Sequence, residues 1–568
     1  MKTFGRIKHL KNAWHITAEP HVMVRLKRVF PRVSQRLATL IITDTAEVCR
    51  DLMWVIDRFP LSMSRRAREH LRAGAAEHAA HGERIHQILV AETSTREFAL
   101  ALALRDYQKV GAELAYATKG LLLADDMGLG KTATAIGLLT MPGATPALVA
   151  TLAGVIPWQW EKEINRFAPG LKTHVIKKGT PYELGALKRG ADGALRGEQP
   201  DVVISTYYRL RGWRDHLAGK FRTVVADEIQ KLINPDSGLS RAFDHIAAGA
   251  THRLGLSGTP INNLGAEMYP VVEHLAPGRL GERHEFLQEW CGAEDNRGRA
   301  KLRDPAAFGT YLRAEGLMLR RTRKEVGREL PALTKVLHYV EWEEKKLQEI
   351  ERPAAELASI ILSSEALKRD ERRDAAREFS MMLRQATGLA KALAVADFVK
   401  LAVENGERVV LFGWHRGVYD LWEERLKDYK PAWFTGSESE SAKRRSQAEF
   451  MSGKTDVLIM SLRAGAGIDG LQKVCRTAVF GELDWSPAVH EQDTTRLFRD
   501  GQEQPVFAYY VLCEAGSDPT IADILGVKRA QLEGIRDPLG VGFLEELDIG
   551  GDHVKRLAAA YLRKASAA

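Results

Sequence analysis

Seven short apolar runs, at residues 121–124, 147–150, 202–204, 224–226, 409–412, 457–460 and 506–512, constrain this chain more than any other feature. Each is the length of a strand and none alternates apolar with polar residues, the pattern of strands buried on both faces. The stretches between them are long enough for crossover helices, so parallel α/β sheets follow. The runs fall into two groups, one before about residue 260 and one after about 405, which implies two α/β lobes rather than one sheet.

The first run leads directly into Asp125-Asp126-Met127-Gly128-Leu129-Gly130-Lys131-Thr132. A buried strand that ends in a glycine turn and opens a helix aims backbone N–H groups and the helix's positive end at a polyphosphate. Lys131 would reach the β- and γ-phosphates, and the Thr132 hydroxyl would ligate Mg²⁺, a small hard cation that takes few protein ligands. The usual P-loop spelling places glycine where this chain has Asp125.

Other polar motifs stand just after the carboxyl ends of the runs, where open α/β sheets bind ligands. Run 224–226 enters Asp227-Glu228-Ile229-Gln230. That carboxylate pair suits metal-assisted phosphoryl transfer, Asp227 holding Mg²⁺ and Glu228 orienting the attacking water. Upstream, Leu104-Arg105-Asp106-Tyr107-Gln108 offers Tyr107 to stack and the Gln108 amide to read an adenine edge. Downstream, Leu256-Ser257-Gly258-Thr259-Pro260 is placed to sense the γ-phosphate. Late in the chain, Arg496 and Arg499 are three apart, so on a helix they would share a face and point at one polyanion.

The remaining composition bounds the class. The chain has 568 residues, 45% apolar and 27% charged, which describes a globular protein of several domains. No apolar run approaches the ~20 residues that span a bilayer, and no secretory signal is evident, so a cytoplasmic place of work without membrane partners is expected. Cys49, Cys291, Cys475 and Cys513 form no C-x-x-C pair, which argues against a cysteine zinc module or a disulfide framework and for buried thiols. Net charge is +8, and residues 1–36 hold nine basic residues (Lys2, Arg6, Lys8, Lys11, Arg25, Lys27, Arg28, Arg32, Arg36) against Glu19. Such a stretch can neutralise phosphates, or simply be a solvated face. Residues 62–83 read as an Arg/Ala-rich helix, 52–56 as core, and 345–404 as long helices. The Arg/Ala-rich composition points to a bacterium or phage with a GC-rich genome.

Taken in order, these motifs resemble the Snf2 family of superfamily 2 helicases, ATP-dependent translocases on double-stranded DNA. Residues 125–132 match the family's Asp-Glu-Met-Gly-Leu-Gly-Lys-Thr with Asp126 in place of glutamate, and the family carries aspartate at the position of Asp125. Asp227 to Gln230 resembles its Asp-Glu box, Leu256 to Asn262 its Ser/Thr-Gly-Thr-Pro segment, and Leu317-Met318-Leu319-Arg320-Arg321-Thr322 its Met-Leu-Arg-Arg-Thr landmark. Ser461 to Leu471 is similar to its Ser-x-Arg-Ala-Gly-x-x-Gly segment, and Gln492 to Gln502 to its Gln-x-x-x-Arg-x-x-Arg-x-Gly-Gln signature. Phe498, Asp500 and Asp469-Gly470 depart from common family residues without removing a catalytic group. Phe480 to Pro487 resembles a stretch of the annealing-helicase branch.

The resemblance implies an α/β fold of two tandem RecA-like P-loop NTPase lobes with a helical insertion and an N-terminal accessory domain. The expected divisions are 1–95 (basic accessory domain), 96–275 (first lobe), 276–395 (helical insertion), 396–535 (second lobe) and 536–568 (tail). ATP and Mg²⁺ are the implied cofactors. Lys131, Asp227, Glu228, Arg496 and Arg499 would be catalytic, with Arg105, Tyr107, Gln108, Asp126, Gly128, Gly130, Thr132, Gln230, Gly467 and Gln492 around the nucleotide bound between the lobes. Thr151, Ser205, Thr206, Ser461, Arg463 and Gln472 would contact the DNA backbone or couple to it, since strand-end hydroxyls and amides bond phosphates regardless of sequence. Trp414 is read as core. The expected partner is double-stranded or branched DNA, met by a monomer that works near the nucleoid with replication, repair or transcription proteins. An RNA-dependent or strand-separating helicase, and a DNA-binding module with a regulatory ATP site, are the alternatives.

Overall fold

The computed structural model describes residues 3–31, 33, 39–91, 93–153, 156–184, 186–189, 195–258, 265–292, 300, 302–327, 330–362, 369–462, 468–525 and 553–565. The chain divides into two compact units, residues 1–126 with 130–326, and residues 127–129 with 327–568.

The first unit opens with an antiparallel sheet of β1 (Gly5–Leu10), β2 (Ala13–Ala18) and β3 (Leu40–Thr43). Lys11 and Asn12, at φ 47° and 61°, form the two-residue hairpin between β1 and β2, a left-handed turn whose twist suits the flanking strands. Helices Pro20–Val29, Ala46–Arg58 and Arg65–Val90 complete this N-terminal domain around Trp14, Ile16, Leu26, Leu52, Val55 and Leu71. The last helix begins where Ser64 caps it, its hydroxyl accepting from Ala67 N, and runs seven residues beyond the expected end at 83. Residues 52–56 are helical, so only Leu52 and Val55 of that run are buried; Trp54 is 52% exposed beneath the Arg58 guanidinium.

The N-terminal domain has its own core yet belongs to the first unit. Glu315, nearly buried, accepts from His78 Nε2 (3.2 Å) and Arg279 Nη2 (2.8 Å), and Tyr311 donates its hydroxyl to Glu47. The rest of the unit is built on β4 (Gly120–Leu123), β5 (Ala147–Thr151), β6 (Thr173–Val175), the hairpin β7 (Ala186–Arg189) and β8 (Leu195–Glu198), β9 (Val202–Thr206), β10 (Thr223–Asp227), β11 (His252–Leu256) and β12 (Met318–Leu319). Apart from the hairpin these make one seven-stranded sheet ordered β12-β4-β11-β10-β5-β9-β6, parallel throughout. Every residue of β4, β5 and β9 is buried, the pattern their unbroken apolar runs require.

The second unit carries β13 (Leu333–Tyr339), β14 (Val409–Gly413), β15 (Ala432–Phe434), β16 (Val457–Ser461), β17 (Thr477–Phe480) and β18 (Val506–Leu512). Their order is β13-β18-β17-β14-β16-β15, again all parallel. Two α/β lobes of the RecA-like kind are thus present. Trp422 fills the core of the second, and a Cβ on Gly481 would lie 2.5 Å from its ring.

The described residues of 276–395 are divided between the two units. Their chain adds β12 to the edge of the first sheet and β13 to the edge of the second, and the boundary between units falls at 326. Both strands were illegible as apolar runs, β12 because it is two residues long and β13 because, at a sheet edge, most of its residues are partly exposed. The helices expected at 345–404 are Glu344–Gln348, Glu351–Leu362 and Arg369–Glu404. The C-terminal helix His553–Ala565 packs on the latter two through Leu557 and Ala558 rather than trailing as a tail. The four cysteines are buried and none is in a disulfide, and among the described residues no helix is long and apolar enough to cross a membrane.

Candidate nucleotide site

Because the first sheet is parallel, the loops after β4, β11 and β10 leave from one edge, and β11 is the only strand between the other two. The sheet's strand order therefore gathers Lys131, Ser257 and the Asp227-Glu228 pair, which lie far apart in sequence. A 240 Å³ cavity lined by Lys119, Arg253 and Arg279 lies at the opposite, amino ends of the strands, away from the edge where α/β sheets bind ligands.

After β4 the chain turns through Gly128 (φ 89°) and Gly130 (φ 76°), left-handed conformations that side chains rarely adopt. Gly130 caps the nine-residue helix Lys131–Leu139, and a Cβ on it would stand 2.5 Å from Gln108 Nε2. Lys131 Nζ donates to the carbonyls of Asp125 (2.6 Å) and Asp126 (3.3 Å), spanning the mouth of the turn. Burial pushes its pKa down, against the upward pull of Glu228 and Asp125.

Asp227 follows the last register pair of the β10–β5 ladder, Ala226 with Ala150, and its Oδ2 accepts from Thr151 Oγ1 and Trp160 Nε1, each at 2.9 Å. Its backbone carbonyl accepts from the buried Tyr207 hydroxyl at 2.8 Å. Burial, and then the neighbouring Glu228 charge, push the Asp227 carboxyl up to about 6, while the two hydrogen bonds pull it back. Glu228 sits at φ 55°, a strained position for a residue with a side chain, and Gln230 Nε2 donates to its carboxylate.

The residues present fit a magnesium nucleotide. The glycine turn leaves room that a Cβ on Gly130 would remove, and Lys131 can exchange two carbonyls for phosphate oxygens. Asp227, already oriented by Thr151 and Trp160, and Thr132 on the first turn of the helix are the candidate Mg²⁺ ligands. When bound, that group would supply the scissile anhydride, and its cation would relieve the Asp227–Glu228 repulsion.

Asp125, where a strict P-loop has glycine, is buried under Arg321. The guanidinium reaches Asp125 Oδ2 from Nη2 (2.5 Å) and Oδ1 from Nε (3.1 Å), and Nη1 donates to the Tyr107 carbonyl. Asp126 accepts from Arg320 Nη2 and Arg323 N at 3.3 Å each. Arg105 caps the helix Asp106–Thr118, and its N–H donates to Gln108 Oε1. The Tyr107 ring lies 5.3 Å from the Arg321 guanidinium.

A family model described as "SNF2-related domain" matches residues 25–392, more than half of the chain. The chain belongs to the SNF2-related family. Relatives of this SNF2-related chain include the bovine (Bos taurus) SWI/SNF-related matrix-associated actin-dependent regulator of chromatin subfamily A-like protein 1, 26% identical over 75% of the chain and 44% of that protein. The Bos taurus DNA annealing helicase and endonuclease ZRANB3 is 26% identical over 77% and 40%, and the Escherichia coli Zorya protein ZorD 25% over 73% and 42%. The chain spans less than half the length of each of these relatives. Among solved structures, the Sulfolobus solfataricus SWI2/SNF2 ATPase core in complex with dsDNA aligns over 83% of this chain and 98% of that one, at 21% identity and TM-score 0.36.

In the second unit of the SNF2-related chain, Gln492 lies on the helix Pro487–Thr494, which ends before the arginines. Arg496 and Arg499 therefore stand in turns, not on one helical face. Arg499 Nη1 pairs with Asp469 Oδ1 at 3.0 Å, so one of the departures from the family pattern supplies its partner. Glu482, in the stretch that resembles the annealing branch, is buried and accepts from the backbone N–H groups of Trp414 (2.6 Å) and His415 (2.9 Å). Trp414 is 42% exposed and not core.

Of the residues expected at a DNA backbone, the five that are described, Thr151, Ser205, Thr206, Ser461 and Gln472, are buried. Thr151 donates to Asp227, Ser205 to the Thr206 carbonyl, Ser461 to the Leu462 carbonyl, and Gln472 Nε2 to the Asp500 carbonyl, while Thr206 Oγ1 caps the helix Tyr207–Leu217. Strand ends in a covered parallel sheet lie under the following loops, so these groups serve bonds within the protein. Thr151 thereby couples a strand end to the acidic pair. Arg463, Gly467 and residues 259–262 lie outside the described residues, as do Lys2, Arg32 and Arg36. Sequence reading missed Arg321, Trp160 and Tyr207 as site residues. For Arg321 the Met-Leu-Arg-Arg-Thr landmark was a usable signal; the other two had none.

Proposed function

We propose that this chain is an ATP-driven motor of the Snf2 type that couples Mg²⁺-dependent ATP hydrolysis to movement on duplex DNA. The observation that carries the proposal is the convergence of Lys131 and the Asp227-Glu228 pair at the carboxyl edge of one parallel sheet, in a chain of the SNF2-related family. Lys131 holds the nucleotide phosphates, Asp227 the cation, and Glu228 the attacking water, with Gln230 positioning Glu228. Arg496 and Arg499 supply positive charge to turnover, as their place in the family signature suggests. DNA as the partner is supported by the names of the relatives, one a DNA annealing helicase, and by the exposed Arg6, Lys8, Lys11, Arg25 and Arg28 of the N-terminal domain.

Steady-state ATPase assays with linear duplex, forked DNA, single strands and RNA side by side test this reading. Duplex-containing DNA is expected to stimulate turnover most, and Lys131→Ala to abolish it. Turnover that no DNA stimulates overturns the motor reading, and stimulation by RNA alone replaces it with an RNA-dependent one.

A further inference from the structure

The N-terminal domain gathers two imidazoles and a carboxylate that the motor does not use. His9 on β1, Asp44 just after β3 and His70 on the helix Arg65–Val90 bring their ligand atoms within 4.8 Å of one another, the one such group of three among the described residues. His9 Nε2 lies 2.8 Å and His70 Nε2 2.5 Å from the same oxygen, Asp44 Oδ2. The two ring centroids are 4.4 Å apart and the planes inclined by 33°, with both Nε2 atoms directed at the one carboxylate oxygen.

The carboxylate is built into place. Its other oxygen, Oδ1, accepts from the indole of the fully buried Trp14 (2.8 Å) and from the Cys49 thiol (3.3 Å), which leaves Oδ2 to the imidazoles. The helix that carries His70 is seated by close packing one turn later. A Cβ on Gly74 would lie 2.7 Å from Cys49 Sγ, so glycine there lets the helix approach, and residues four apart share its face. Trp14 and Cys49 are the outer partners that commonly orient a ligating carboxylate.

We propose that His9, Asp44 and His70 form a site for a divalent transition cation of the zinc class, clamping β1, the β3 end and the long helix together. Two imidazoles and a carboxylate suit such a cation, whose bonds of ~2 Å leave a fourth, outward position for water. Ligand atoms around that geometry are roughly 3.3 Å apart, so on binding His9 draws back from its 2.8 Å contact by about half an ångström and His70 from its 2.5 Å contact by somewhat more. His70, whose side chain is 48% exposed, has the freedom to do so. No sequence spacing announces the site, because its three ligands come from three elements and none is cysteine.

The test is metal uptake by the full chain after treatment with a chelator, read by equilibrium dialysis with Zn²⁺ and by the visible spectrum with Co²⁺. The unaltered chain is expected to retain one more equivalent of Zn²⁺ than either His70→Gln or His9→Gln and to show tetrahedral Co²⁺ bands that both variants lose. Zinc is expected to raise its Tm, and not that of the variants. Equal uptake by the unaltered chain and both variants overturns the site, as does a Co²⁺ spectrum of the unaltered chain without tetrahedral bands. Neither readout involves ATP or DNA, so the result stands apart from the motor reading.

Discussion

Arg321 closes on Asp125 at the end of β4, with Nη2 2.5 Å from Oδ2 and both side chains buried. The contact ties Arg321, two residues past β12 and more than 190 positions along the chain, to the first residue of the glycine turn. It explains why aspartate stands where a strict P-loop has glycine: the carboxylate anchors the turn from beneath.

Breaking one side of that pair leaves a buried charge without its counterpart. Arg321→Ala and Asp125→Gly are each expected to cost about 3–5 kcal/mol, although the second restores the strict P-loop spelling. The double variant Arg321→Ala/Asp125→Ala should cost clearly less than the sum of its single changes in denaturant unfolding. Strict additivity would rule out the coupling.

With its carboxyl raised to about 6, Asp227 is expected to give ATP turnover an acid limb. Below that pH the group is neutral and holds a cation poorly, so kcat/KM for ATP should fall as pH drops through about 6. Thr151→Val and Trp160→Phe each remove a hydrogen bond that favours the ionised form, and should move the limb to higher pH. A limb that stays put in both variants would show that another group sets it.

The same shift fixes the sign of a stability effect. The folded-state pKa lies above the ordinary 3.8, so this group's contribution is fully present below pH 3.8 and lost as pH rises through about 6. Asp227→Asn should therefore stabilise the protein at pH 7, on the order of 3 kcal/mol, do little at pH 4, and abolish turnover. Thermal unfolding at the two pH values measures it.

Gly130 and Gly143 separate backbone strain from site geometry. Both have positive φ, 76° and 71°, but a Cβ on Gly130 meets Gln108 Nε2 whereas one on Gly143 meets nothing within 4 Å. Gly143→Ala should cost roughly 1–2 kcal/mol of stability and leave nucleotide affinity unchanged. Gly130→Ala should weaken binding of a fluorescent ATP analogue at least about tenfold, the equivalent of ~1.4 kcal/mol.

Arg499 is held by Asp469. Arg499→Ala is expected to lower kcat by about 10³-fold or more if it acts as an arginine finger, whereas Asp469→Asn should raise kcat at low salt and leave stability within about 1 kcal/mol, since the pair is half-buried and only partly screened. A fall in kcat for Asp469→Asn would show that the pair positions the arginine for turnover instead of holding it back.

By itself the sequence determined the two parallel sheets and the glycine turn between β4 and the following helix. Unbroken apolar runs report burial on both faces, and Gly128, Gly130, Lys131 and Asp227-Glu228 follow strand ends directly, so local order was enough. Only the tertiary structure decided what depends on distant segments meeting. It assigned β12 and β13 to sheet edges, where short or half-exposed strands carry no periodic signal. It turned Thr151, Ser205 and Gln472 inward, since a strand-end polar group looks the same in sequence whether a loop covers it or not. It paired Asp125 with Arg321 and drew His9, Asp44 and His70 to one point, because side-chain contacts across separate elements are set by packing and leave no spacing in the chain.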